Sequence, residues 1–250
     1  MPSFRHGDVE LAYLDQGAGD PIVLVHGFAS NKETNWVQPG WVSTLTRDNR
    51  RVIALDNRGH GQSTKLYDPA DYHTDLMAAD VAALIRHLGF KRADVMGYSL
   101  GARISAVLAA RHPEAVRSVI LGGVGIKLVE VAGLHSDVAS ALERPSIEDV
   151  TDPQGRAFRL FAEQTKSDLK ALAACLRGSR QALERSDLAA VQAPVLVAAG
   201  TKDDIAGSPH GLAALFANGQ ALDIPNRDHM VAVGDRVYKA AVLAFLKERP

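Results

Sequence analysis

The chain has 250 residues, 46% hydrophobic and 23% charged, with a formal net charge of −1, enough for one large domain or one domain with an insertion in an ordinary soluble composition. That balance, with no long run of like charges, excludes long-range attraction to nucleic acid or to an anionic membrane surface. The single cysteine, Cys175, excludes an intrachain disulfide and a cysteine-based zinc site. The Met1 to Asp8 segment has no apolar core of signal-peptide length and no stretch is apolar enough for a membrane helix, so a cytoplasmic, reducing location and a buried Cys175 are expected.

Val9 to Leu14 reads as a first strand and Asp15 to Asp20 as a glycine-containing turn. Ile22-Val23-Leu24-Val25 is a continuous β-branched run, the pattern of a strand buried on both faces of a parallel sheet. Arg51 to Leu55, Ala93 to Met96, Val119 to Leu121 and Pro194 to Ala198 repeat it, and Ala221 to Ile224 is a weaker version. Helical spacing falls between these runs. Leu76, Val81, Leu84, Ile85 and Leu88 form one apolar face, closed by Gly89. Ile104, Val107 and Leu108 form another that ends near Arg111-His112-Pro113, and Val231 to Leu246 gives a last helix. Strands alternating with helices predict an α/β fold, a mostly parallel central sheet flanked by helices. From about Gly125 to Asp187 no strand is predicted. Leu169, Leu172, Ala173 and Leu176 have helical spacing there, and Asp152-Pro153-Gln154-Gly155 makes a turn. The expected organisation is a core over 1–124 and 188–250 with a small helical insertion over 125–187. No internal repeat or low-complexity segment interrupts it.

Gly97-Tyr98-Ser99-Leu100-Gly101 follows one of the buried runs and opens a helix. The bare G-x-S-x-G pattern is weak. A strand before it and a helix after it make it strong, because a tight turn there projects the serine from the carboxyl edge of the sheet. A serine nucleophile needs a base, and the base needs an orienting acid. Of nine histidines, His229 is the candidate base: it follows the last strand, in Asn226-Arg227-Asp228-His229-Met230. His210, near a helix start, is the alternative. His26 belongs to the His26-Gly27-Phe28 turn and reads as structural, while His6, His60, His73, His87, His112 and His135 read mostly as solvated. The acid is expected after the strand between serine and histidine, where Asp203 leads and Asp204 is second. The order serine, acid, histidine is the one found in α/β hydrolases. Backbone N–H groups of Phe28 and Leu100 are the candidate oxyanion donors. Trp36, Tyr98, Leu128 and Met230 are candidates for the pocket wall.

These motifs together resemble the α/β-hydrolase fold superfamily, specifically a serine esterase-like member with a short helical cap. The match runs in order from about Leu11 to Leu246: His26-Gly27-Phe28, Asp56-Asn57-Arg58-Gly59-His60-Gly61-Gln62-Ser63, Gly97 to Gly101, Gly200-x-x-Asp203 and Asp228-His229. The resemblance implies that the Asp56 to Ser63 segment is a structural turn, that Asp203 is preferred over Asp204, and that the insertion caps the site. Ser99 stands where dehalogenases and epoxide hydrolases of the fold carry an aspartate, and Ala29 stands where an epoxide-hydrolase-like H-G-x-P would place proline. The expected activity is hydrolysis of carboxylic esters of small to medium substrates through an acyl-enzyme, with no cofactor or metal. The H-G-F turn favours simple esters of primary or secondary alcohols. The expected partner is a small-molecule ester, with no nucleic acid and no membrane. Carbon–carbon bond hydrolysis, enol-lactonase or thioesterase activity would use the same residues, and a slow enzyme serving as a small-molecule receptor is the alternative of another class.

Overall fold

Ile22 and Leu24 pack on one face of a central sheet, while Val23 and Val25 pack on the other. Successive side chains of a strand point to opposite faces, so a continuous apolar run needs cover on both. Val52 and Ala54 join the first face, Ile53 and Leu55 the second, and Met96 and Val95 divide likewise. A computed structural model describes residues 2–130 and 136–249. Its sheet runs β1 (Ser3–His6), β2 (Val9–Gln16), β4 (Arg50–Leu55), β3 (Asp20–Val25), β5 (Ala93–Tyr98), β6 (Val116–Gly122), β7 (Val195–Gly200) and β8 (Gly219–Ile224) in spatial order. β1 with β2 and β2 with β4 are antiparallel; the remaining pairs are parallel. The parallel strands therefore end on one edge of the sheet, where ligands of open α/β folds bind.

Helices α1 (Trp41–Arg47), α2 (Thr74–His87) and α3 (Leu100–Arg111) connect the first strands, and α8 (Pro209–Ala213) and α9 (Arg236–Glu248) follow β7 and β8. Trp41, Tyr238, Val242 and Phe245, from α1 and α9, cover one face; Val81, Ile85, Ile104 and Leu108, from α2 and α3, cover the other. Between β6 and β7 lie α4 (Ser136–Glu143), α5 (Pro153–Gln164), α6 (Leu169–Gly178) and α7 (Arg185–Ala189). Helix ends leave carbonyls without partners. Arg159 of α5 fills that need at the end of α4, donating to the carbonyls of Ala141, Leu142 and Arg144 at 3.1, 3.1 and 2.9 Å. Thr165 Oγ1 lies 2.9 Å from the Ala29 carbonyl, joining this helical stretch to the loop after β3. Among the described residues no helix is long and apolar enough to cross a membrane.

Several boundaries differ from the sequence expectation; the expected turn over Asp152–Gly155 is the capped start of α5, with Asp152 accepting from Gly155 N. β1 is an added edge strand, paired to β2 through the two-residue Gly7-Asp8 turn, with Gly7 at φ +59°; that is a hairpin signal in its own right. The expected turn over Asp15 to Asp20 is trimmed at both ends, because β2 continues to Gln16 and β3 begins at Asp20. The last helix begins at Arg236, not Val231. Asp235 caps it by accepting a hydrogen bond from Val237 N at 2.7 Å, and Ala232–Gly234 forms a separate short 3-10 turn.

Candidate active site

Ser99 sits between β5 and α3 with φ +54° and ψ −114°. That conformation is costly for a residue with a side chain. The turn is held by Ser99 N donating to the Gly122 carbonyl at 2.8 Å. It is possible only because its flanks are glycine. A Cβ on Gly97 would lie 2.1 Å from the Gly101 carbonyl oxygen, and one on Gly101 would lie 1.9 Å from the Val25 carbonyl oxygen. The strand-turn-helix thus aims Oγ outward from the sheet edge.

His229 arrives from the loop after β8 and places Nε2 3.0 Å from Ser99 Oγ. Its Nδ1 lies 2.8 Å from Asp203 Oδ2. With the carboxylate accepting from Nδ1–H, Nε2 is left to accept the serine hydroxyl proton. Both residues are buried, His229 8% and Asp203 7% exposed. The second oxygen of Asp203 accepts from Ile205 N and Ala206 N, each at 3.0 Å, which fixes the carboxylate. Asp204 is exposed, and its carbonyl accepts from Lys127 Nζ at 2.6 Å. Asp228 shapes the histidine loop by accepting from Met230 N and Val231 N at 3.0 and 3.1 Å. Tyr98 Oη donates to the His229 carbonyl at 2.6 Å. Burial pushes the Tyr98 phenol well above its usual pKa, so it remains a donor.

Phe28 and Leu100 line the same cavity as Ser99. Leu100 is the first residue of α3, whose leading N–H groups have no partner within the helix; Phe28 N makes no hydrogen bond among the described residues. The turn carrying Phe28 is rigid. His26 is fully buried, donates from Nδ1 to the Gly27 carbonyl at 2.7 Å and accepts from Asn57 N at Nε2 at 3.0 Å, and burial pulls its pKa down. Gly27 N in turn donates to Asn35 Oδ1 at 3.0 Å. Burial opposes ionisation of Asp56 in the neighbouring turn, yet His26, Lys32 and the N–H groups of Lys32 and Gln62 hold its pKa below the usual value.

Two cavities meet at Ser99. One is lined by Phe28, Ser99, Leu100, Arg103, Leu128 and Leu176 among others. The second is lined by Asn35, Tyr98, Phe158, Phe161, His229 and Met230 among others. Leu128, Tyr98 and Met230 thus face the site. Trp36 does not: it is 0% exposed and packs edge-on against Trp41 beneath the sheet. The π-helical turn at Glu33–Val37 sends Trp36 into the core and leaves its neighbour Asn35 at the cleft. His60, expected to be solvated, is also fully buried, tilted against His26 and edge-on to Phe28. His6 pairs with Asp80 at 2.8 Å, and His210 is 63% exposed on Asp223. His135 lies outside the described residues. Arg103 was not signalled by the motif, although a residue four positions after Ser99 stands one helical turn on.

A family model described as the alpha/beta hydrolase fold matches residues 20–133. The dihydrolipoyllysine-residue acetyltransferase component of the acetoin cleaving system of Pseudomonas putida is 31% identical over 92% of this chain and 64% of its own length. The 2-hydroxymuconate semialdehyde hydrolase of Pseudomonas sp. (strain CF600) is 36% identical over 49% of this chain and 43% of its own length. The chain therefore spans less than two thirds of either relative. A hydrolase from Pseudomonas aeruginosa PA01 superposes with a TM-score of 0.81 at 24% identity, covering 98% of this chain and 97% of that one. A serine held at positive φ between a central parallel strand and its helix is where that fold carries its nucleophile, and the chain has the α/β-hydrolase fold.

Proposed function

We infer that the chain is a serine hydrolase that cleaves carboxylic esters of small to medium substrates through an acyl-enzyme. The carrying observation is the unbroken relay from Ser99 Oγ to His229 Nε2 at 3.0 Å and from His229 Nδ1 to Asp203 at 2.8 Å. In this reading Ser99 attacks the ester carbonyl as His229 takes its proton. Asp203 keeps the proton of the imidazole on Nδ1 and stabilises the imidazolium. The N–H groups of Phe28 and Leu100 bind the oxyanion of the tetrahedral intermediate. His229 returns the proton to the leaving alcohol, then activates water to release the acid. The helical stretch over 125–187 acts as a cap, because Phe158, Phe161 and Leu176 from it line the two cavities.

A second reading is hydrolysis of an activated carbon–carbon bond by the same residues, favoured by the 36% identity to the 2-hydroxymuconate semialdehyde hydrolase. A panel of p-nitrophenyl esters of graded acyl length, set against β-diketones and lactones with Ser99→Ala as control, tests the choice. The ester reading expects the highest kcat/KM on an ester, lost in Ser99→Ala. A diketone turned over best, with esters trailing, would replace it with the second reading.

A further inference from the structure

The cavity on the Leu100 side of Ser99 has a cationic lining. Arg103, Lys127 and Arg180 line it, and no carboxylate does among the described residues. Arg103 is fixed in place by two backbone carbonyls. Its Nη1 donates to the Gln181 carbonyl at 2.9 Å and its Nη2 to the Leu128 carbonyl at 3.2 Å. Those two bonds use two of the five N–H donors of a guanidinium. Arg103 has no ion-pair partner among the described residues, and burial is the sole cause that lowers its pKa. Arg103 is half-buried, whereas the buried Arg58 and Arg50 are neutralised, by Asp80 and by Asp94. Removing a charge from water without a partner is costly. Here that cost falls one helical turn from the serine, in a cavity that also holds Lys127, whose ammonium donates to the Asp204 carbonyl.

We propose that the Arg103 wall of this cavity is a carboxylate-binding subsite, so that the substrate is an ester whose acyl portion ends in a carboxylate. The proposal rests on the ester-hydrolase reading above. The acyl side is assigned because His229, which must reach the leaving oxygen, lines the other cavity and not this one. Arg103 presents its remaining donors in a planar fork suited to a carboxylate, at a place where water is partly excluded and a charge-assisted bond is strong. Lys127, exposed at the mouth, adds attraction that is screened by salt. The two carbonyls that Arg103 holds set its orientation. A purely structural clamp would need no cavity in front of it and would not distinguish charged from neutral substrates.

The test compares p-nitrophenyl hydrogen glutarate with p-nitrophenyl valerate, which match in length and differ in the terminal charge. The wild-type protein is expected to favour the anionic ester in kcat/KM by about 10- to 100-fold. Arg103→Gln should collapse that ratio towards unity, and Arg103→Lys should restore part of it. Calorimetry of glutarate binding to the wild-type protein and to Arg103→Gln reads the same contact without turnover. Binding by the wild type that is lost in Arg103→Gln supports the subsite even if no ester is cleaved, an outcome that would overturn only the ester-hydrolase reading. A wild-type preference for the neutral ester, or an anionic-to-neutral ratio unchanged in Arg103→Gln, overturns the subsite while leaving ester hydrolysis standing.

Discussion

Tyr98 donates its phenolic hydrogen to the backbone carbonyl of His229 at 2.6 Å, so the residue before the serine latches the loop that carries the histidine. The serine and its proposed base arise 130 positions apart in sequence, and their spacing depends on how firmly that loop is held. The bond is buried, and the two rings are 5.6 Å apart, which adds packing to the latch.

Tyr98→Phe leaves the His229 carbonyl without its buried donor. Stability should fall by about 1–2 kcal/mol, and kcat on an activated ester by roughly tenfold, with a smaller change in KM, because a loosened base misplaces the proton transfer. Steady-state kinetics and urea unfolding check both. An unchanged kcat would show that the loop holds its place without the latch.

Gly101→Ala should fail to fold into the native state. Its Cβ would sit 1.9 Å from the Val25 carbonyl oxygen, backbone that cannot yield without separating α3 from β3. The expected cost exceeds about 4 kcal/mol. Near-UV circular dichroism of the purified variant is the measurement, and a native spectrum with an unshifted melting temperature would refute the close-approach account.

Much of this was legible in the sequence for a definite reason. Runs such as Ile22 to Val25 must be covered on both faces, and that requirement alone predicts parallel strands between helices. The ends of those strands then locate Ser99, Asp203 and His229 on one sheet edge. Trp36 was not legible, because a one-residue difference in a π-helical turn separates a cleft position from a core position, and Asn35 took the former. His60 was missed for a similar reason. Polar residues in a glycine-rich turn read as exposed, but Gly59 and Gly61, both at positive φ, fold that turn under the His26 loop and bury the imidazole beside His26. Arg103 carries no motif; its meaning depends on what does not face it in three dimensions.

The buried histidine makes stability pH-dependent. Burial and the nearby His26 push the pKa of His60 from 6.5 down to about 3, and burial lowers His26 as well. As pH falls through 6.5 the unfolded chain takes up a proton that folded His60 refuses. The stabilisation is therefore complete above about pH 6.5 and is lost towards pH 3, at about 1.4 kcal/mol per pH unit. Urea unfolding at pH 7 and pH 5 should show a loss about 2 kcal/mol larger in the wild type than in His60→Gln. Equal losses in the two proteins would place the titration elsewhere.

Arg58 and Asp80 form a two-pronged buried pair at 2.7 and 2.8 Å, with Arg58 also donating to the Asp71 carbonyl at 2.6 Å. Arg58→Ala leaves a buried carboxylate facing, among the described residues, His6 alone, at a cost of about 3–5 kcal/mol. Arg58→Met combined with Asp80→Leu should recover much of that. The comparison is made by chemical denaturation; a double variant no more stable than Arg58→Ala would mean that the pair itself, not the orphaned charge, carries the stability.

The most direct test of the central claim is to label the native protein with a fluorophosphonate and map the adduct by peptide mass, with ester turnover followed in parallel. Near-complete modification of Ser99 together with loss of turnover is predicted, and Ser99→Ala should take up no label and lose activity by about 10⁴-fold or more. A label on another residue, or turnover by Ser99→Ala at the wild-type rate, would contradict the account.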